Sequence, residues 1–397
     1  MNSFIREVRS SRVKRWLLAF LLGQLLCLFF FLSNSPVTLA FLINEAEEVH
    51  WQILIERFNA THPNIRIQSV TNSEDSPYAS TTNARAKIYE ADFQLQDPQH
   101  DLIYMDTIWT APFAEQLLNL SDLAERDLDT TDFLASEMAA GKIDKKLYRI
   151  PMTTDIGILF YRNDWLKAVG KTLPTTVDEL ESVIDAMKAS ASGSSMRHGY
   201  LWQGLEYEGL VANFVEVLAG AEISLVNAAG TYVNFEDIEV NDAANSLVEI
   251  IKRGLSPADV TTYTELQSQD KFMEGESMFI RTWTNFLSRI QNSEASWKNE
   301  IGIALPFSFT AGNQGKGCRG GWGFGINRSS RHKREAWEAI KYFTSEESQR
   351  IFNCLDNDSP SLSVFRPKLK DYNRESAALQ AALSERLKAA ILVSAEG

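Results

Sequence analysis

The sequence predicts an α/β protein built as two lobes, and three observations carry that prediction. At 397 residues the chain is longer than one ordinary core encloses. Apolar runs alternate with a helical stripe in β-α-β order near its start, and a second α/β unit begins after about residue 155. The composition, 44% hydrophobic and 23% charged, is that of a soluble globular chain and excludes a disordered or multi-spanning protein.

Residues 1–35 stand apart as a signal or anchor segment. Arg6, Arg9, Arg12, Lys14 and Arg15 precede the uncharged apolar block Trp16 to Leu32, the arrangement of a secretory signal. The block is long for such a signal and short for a membrane span, so the segment is either cleaved or kept as a tether. In both cases the mature part is expected in the periplasm or another extracytoplasmic space. Cys27 follows Leu26 and lacks the small residue that precedes a lipid-modified cysteine. The first forty residues carry five basic side chains against one acid, Glu7, so the −13 of the whole chain leaves −17 for the remainder. Such a charge repels phosphate backbones and argues against nucleic acid as a partner.

Val37 to Ile43 reads as the first strand. Trp51, Leu54, Ile55 and Phe58 then mark one helix face ending before Pro63, and Ile65 to Val70 is the next strand, a β-α-β order that implies a parallel sheet. Asp101 to Met105 and Ile156 to Tyr161 are two further strands, with helix and loop over Leu117 to Leu123. Thr176 with Glu179 predicts a capping box before the stripe Val177, Leu180, Ile184, Met187. Thr344 with Glu347 predicts another, before a helix turning Ile351 and Phe352 inward. Trp51, Trp165 and Trp337 fall on amphipathic helices and are assigned to packing.

Enzyme signatures are missing from the sequence. The five histidines are scattered without metal-ligand spacing. The glycine-rich run 312–325 fails as a phosphate loop, because Lys316 is followed by Gly317 and Thr310 stands where the first glycine belongs. No catalytic residue, metal or cofactor is therefore expected. Carboxylates and aromatics instead gather near strand ends: Asp106, Trp109, Asp155, Trp202, Tyr207, Glu208, Trp283 and Trp322. Loops converge there in α/β sheets and ligands bind there. Ionised carboxylates accept bonds from sugar hydroxyls and indole faces cover the apolar side of a sugar ring, so the combination is shaped for carbohydrate. Asp106 could equally cap a helix, and Glu216 reads as a solvated helix residue. Cys318 and Cys354 either form a disulfide or remain two buried thiols.

At these same positions the sequence resembles the family 1 extracellular solute-binding proteins of ABC importers, in particular the trehalose/maltose-binding branch. Six ordered segments carry the resemblance, among them DLIYMDTIWTAPFAEQLLNLSD, KLYRIPMTTDIGILFYRNDWL, FMEGESMFIRTWTNF and GGWGFGINRSSRHKREAWEAIKYFTSEESQ. It implies a two-lobed periplasmic-binding-protein-like fold of type II, with each lobe a sheet flanked by helices. The N-terminal lobe would take 36–152 plus 323–360 and the C-terminal lobe 153–322 plus 361–397. Chain crossings would fall near Pro151 to Asp155, near Gly320 to Gly325 and after Phe352. It also implies ligand contacts at Glu45, Asp106, Asp155, Trp283, Gly321 and Trp322, with Tyr207 and Glu208 beside them.

The implied function is a monomeric binding subunit that delivers a disaccharide or related polyol glycoside to permease and ATPase partners. Two departures from the family pattern stand out. Pro360-Ser361 is followed by Leu362 where the family has a sugar-contacting arginine, and the sequence stops at Gly397 soon after ALSERLKAAIL. A weaker site and a shortened second lobe are the corresponding expectations. The alternatives are the same fold holding a polyamine, peptide or other non-sugar solute, and a secreted glycoside hydrolase using Asp106 and Asp155 as its acid and base.

Overall fold

A computed structural model describes residues 36–43, 48–71, 81–226, 233 and 235–353. The basic and apolar start, Glu45, Cys354 and the tail lie outside the described residues. So do the Cys318–Cys354 pairing and the crossing after Phe352. The described strands are β1 Val37–Ile43, β2 Ile65–Thr71, β3 Leu102–Asp106, β4 Lys142–Ile143, β5 Lys146–Leu147, β6 Ile150–Pro151, β7 Asp155–Arg162, β8 His198–Leu201, β9 Ser277–Trp283, β10 Ile301–Ala304, β11 Arg319–Gly320 and β12 Trp322–Ile326. The described helices of eight or more residues are α1 Glu48–Thr61, α2 Thr82–Asp92, α3 Val177–Ala189, α4 Glu208–Gly220, α5 Ile238–Lys252, α6 Glu265–Met273, α7 Lys333–Phe343 and α8 Glu346–Asn353.

Two large hydrophobic cores organise most of these elements, and a smaller cluster around Tyr89, Ile103, Met105 and Trp109 shares β1 and β3 with the first. The first joins Leu39, Phe41 and Ile43 of β1, the α1 stripe Trp51, Leu54, Ile55 and Phe58, and the returning residues Phe324, Ile326, Ile340 and Phe343. The other runs from Ile156 to Phe307 and takes in Phe160 of β7, Leu180, Ile184 and Met187 of α3, and Phe279 of β9. The helical stripes read from the sequence are thus the faces buried, as a 3.6-residue period requires. Trp51, Trp165 and Trp337 are all buried in these cores.

The sheets are mixed. β1–β2 and β8–β9 are parallel, but β7 runs antiparallel to β9 and β10, and β12 runs antiparallel to both β3 and β6. The parallel order expected from the first β-α-β unit holds for β1–β2 but does not extend to the sheets that contain β7 and β12. β12 comes back from the second core into the first, so it enters the sheet from the end where β3 and β6 leave it. A local β-α-β pattern carries no information about such a returning strand.

The caps also differ in detail from the sequence pattern. Thr176 accepts from Glu179 N at 3.3 Å as expected, but the Glu179 carboxylate turns to Thr175, taking its N–H at 2.8 Å and its hydroxyl at 2.9 Å. Replacing Thr176 by Ala is expected to cost about 1 kcal/mol, readable as a shifted urea midpoint. Thr344 does not start α8. Its hydroxyl donates to Ile340 O at 2.8 Å and closes α7, while Ser345 Oγ accepts from Ser348 N at 3.2 Å and opens the next helix. Among the described residues no helix is long and apolar enough to cross a membrane.

Candidate functional site

The chain passes between the two cores through paired segments. Thr153 and Thr154 lead from β6 to β7, and Gly321 alone separates β11 from β12. β11 pairs with β7 of the second core, and β12 with β3 and β6 of the first. The outgoing and returning segments are stitched together by hydrogen bonds: Trp322 N donates to Thr153 O at 3.1 Å, and Thr153 N donates to Trp322 O at 2.9 Å. Gly321 has φ +145°, a region that L side chains rarely adopt.

Residues 320–322 collect the site. Gly320 pairs with Asp155 at the head of β7. The Trp283 ring at the end of β9 comes so near that a Cβ on Gly320 would meet it at 3.1 Å. Trp322 pairs with Asp106 at the end of β3. The sequence-selected residues Asp106, Asp155, Trp283, Gly321 and Trp322 therefore converge on one crossing, although they span more than two hundred positions. Asp155, Trp283, Trp322 and Glu208 keep part of their surface open, whereas Asp106 and Tyr207 are buried.

Each tryptophan is backed by a buried arginine. The Arg85 guanidinium of α2 lies 4.4 Å from the centre of the Trp322 ring, whose neighbours Tyr104 and Trp109 sit at 5.0 and 5.4 Å. On the other side the Arg281 guanidinium lies 4.4 Å from the Trp283 ring. Such cation–π contacts fix the plane of an aromatic ring. Trp283 Nε1 also donates to Glu265 at 3.3 Å, and the same carboxylate takes the hydroxyl of Tyr207. Glu265 is a site-lining residue that sequence reading missed, because nothing in α6 distinguishes it from a solvated helical acid.

The acids are strongly perturbed. Burial lifts the Asp155 carboxyl to about 7, against the opposing pull of Thr284, the Ile156 N–H and the Arg281 charge. Ile156 N donates to it at 2.8 Å and Thr284 N at 3.0 Å, and the Thr284 hydroxyl also bonds to it. Burial likewise raises Asp106 to about 6, and it does cap the following turn, accepting from Ile108 N at 3.1 Å. Glu208 rises to about 8 through burial first and the Asp106 charge second. Its carboxylate bonds to Thr82, and its N–H donates to Asn83 at 3.3 Å, so α4 touches the start of α2 across the two cores. Tyr207 is pushed upward by burial and by Glu265.

Three assignments change. Glu216 is buried, 5% exposed, and forms a bidentate ion pair with Arg281 instead of facing solvent. Trp202 is a core residue whose Nε1 donates to Ser256 at 3.0 Å. Trp109 is buried too and packs beneath Trp322.

The sequence profile of the bacterial extracellular solute-binding proteins matches residues 44–350, well over half of the chain. The chain belongs to the bacterial extracellular solute-binding protein family. This solute-binding protein is 28% identical over 291 residues to a probable ABC transporter-binding protein of Deinococcus radiodurans, covering 71% of its own length and 67% of the relative's. It is 22% identical over 244 residues to a multiple sugar-binding protein of Streptococcus mutans, covering 57% of this chain and 54% of that one. In fold it is similar to maltose-bound MalE3 of T. maritima, with TM-score 0.77 and 26% identity over 91% of this chain and 88% of that one. The solute-binding protein thus has the α/β two-domain architecture of type II periplasmic binding proteins, with mixed sheets and flanking helices. Its family and these relatives are binding proteins.

Proposed function

We propose that this chain is the extracytoplasmic binding subunit of an ABC sugar importer, closing two lobes around a disaccharide or related polyol glycoside. The lobes are taken as 36–152 with 323–360 and 153–322 with the tail. The observation that carries the reading is the convergence of Asp106, Asp155, Trp283 and Trp322 on residues 320–322. Two arginine-backed indoles supply flat apolar faces, and the carboxylates supply acceptors for hydroxyl groups. The maltose in MalE3 of T. maritima and the sugar named for the S. mutans relative support the ligand class. Closure is a shift of population toward the form in which both walls touch the ligand.

The test is isothermal titration with maltose and trehalose, beside ribitol and a polyamine, together with a reducing-sugar assay. Binding of a disaccharide without its hydrolysis supports the proposal. Binding of the polyamine alone, or release of reducing sugar, replaces it with another. A Trp322→Leu variant keeps apolar contact with Tyr104 and Trp109 but loses the indole face. Its affinity for the sugar is expected to fall at least tenfold, on the order of 1.4 kcal/mol, while the far-UV spectrum stays that of the wild type.

A further inference from the structure

Arg281 occupies the centre of β9 with no exposed surface, and every part of its guanidinium is engaged. Nε donates to Glu216 Oε2 at 2.8 Å, Nη2 to Glu216 Oε1 at 2.6 Å, and Nη1 to Gln203 Oε1 at 3.0 Å. Gln203 is held in turn, its amide donating to Ser268 Oγ and to Arg281 O, each at 2.9 Å. A bidentate fork of this kind is directional as well as strong.

The pair reaches three parts of the ligand wall. The guanidinium plane backs the Trp283 ring at 4.4 Å. Glu216 Oε1 accepts from the N–H of Cys318, one residue before β11, at 2.8 Å. Gly157, two residues along β7 from Asp155 and paired with Trp283, leaves the space the pair fills, since a Cβ there would lie 1.9 Å from Glu216 Oε1 and 2.3 Å from Arg281 Nη2. Trp283, the β11 crossing and the Asp155 strand therefore share one buried anchor.

We propose that Arg281 and Glu216 are positioning residues for ligand binding: the pair sets the plane of Trp283 and ties the Cys318–Gly320 segment to the second-lobe wall. The inference rests on the proposed function for its ligand but not for its geometry. A buried ion pair is weak evidence for stability, because apolar replacement of both partners is often neutral, whereas removing one leaves an uncompensated charge. The role in question is therefore orientation.

The decisive variant is the double replacement Arg281→Met with Glu216→Leu, accompanied by Arg281→Lys and Glu216→Gln in case it does not fold. Two readouts are taken: affinity for maltose and trehalose by titration, and the near-UV circular dichroism of Trp283 in the ligand-free protein, obtained as the difference from Trp283→Phe. Folded variants that bind the sugars at least tenfold more weakly and show an altered Trp283 band bear out the proposal. Arg281→Lys is expected to be intermediate, keeping the charge over the ring without the fork. Wild-type affinity in folded variants overturns it, and so does an unchanged Trp283 band. If the wild type itself binds neither sugar, the functional reading fails, and the Trp283 band alone decides the positioning role.

Discussion

Replacing Gly321 by alanine is expected to lower the unfolding free energy by about 4 kcal/mol, combining roughly 1–3 for backbone strain with a similar overpacking term. At φ +145° the added Cβ would lie 2.5 Å from Thr153 O and 3.0 Å from Thr154 Cα. Both are backbone atoms and cannot rotate aside. Relief requires sliding the outgoing segment against the returning one, which strains the Trp322 N to Thr153 O bond and the 2.9 Å bond from Thr107 N to Gly321 O. These same segments carry Gly320 and Trp322, so sugar affinity is expected to fall with stability. Gly312 is the control, for it has φ +86° with nothing within 4 Å of the added carbon, and its alanine variant carries conformational strain alone. Urea unfolding of the two variants side by side decides the matter. Equal losses at Gly321 and Gly312 would remove the steric argument.

Asp155→Asn is expected to flatten the pH dependence of stability. An unfolded Asp titrates near 3.9, while burial lifts Asp155 to about 7. Between these values the native state holds a proton that the unfolded state has lost, so the Asp155 contribution to stability falls as pH rises through the window and levels off above about 7. At about 1.36 kcal/mol per unit, the two units from pH 5 to 7 amount to about 3 kcal/mol. Asp106, raised to about 6, and Glu208, raised to about 8, act in the same direction. Asn keeps the Oδ1 acceptor that Ile156 N, Thr284 N and the Thr284 hydroxyl all use, so the variant removes the charge while keeping those bonds. It is expected to match the wild type more closely at pH 5 and to exceed it at pH 8. Parallel stability curves for the two proteins between pH 5 and 8 would refute the assignment of this slope to Asp155.

Much of the fold was legible along the chain. β1 lies where the apolar run Val37 to Ile43 places it, and Val177, Leu180, Ile184 and Met187 are buried as their spacing requires. Both signals are local periodicities, which backbone geometry converts directly into a buried face. The gathering of the candidate residues was legible for a related reason, since Asp106, Asp155 and Trp283 sit at strand ends that the structure brings to one crossing. Glu265 and Glu216 were not legible. A glutamate on a helix looks alike in sequence whether it faces water, an indole N–H or a buried guanidinium.

The sequence by itself determined the alternation of strands and helices, the faces they bury and the residue types available at strand ends. The tertiary structure decided the antiparallel return of β12, the contact of Glu208 with the start of α2, and the partners of each buried charge. Arg281 meets Glu216 across 65 positions, and Asp155 meets Thr284 across 129. Periodicity acts over one helical turn or one strand pleat, whereas these charges are paired by the way whole elements stack, and burial is what makes leaving them unpaired costly.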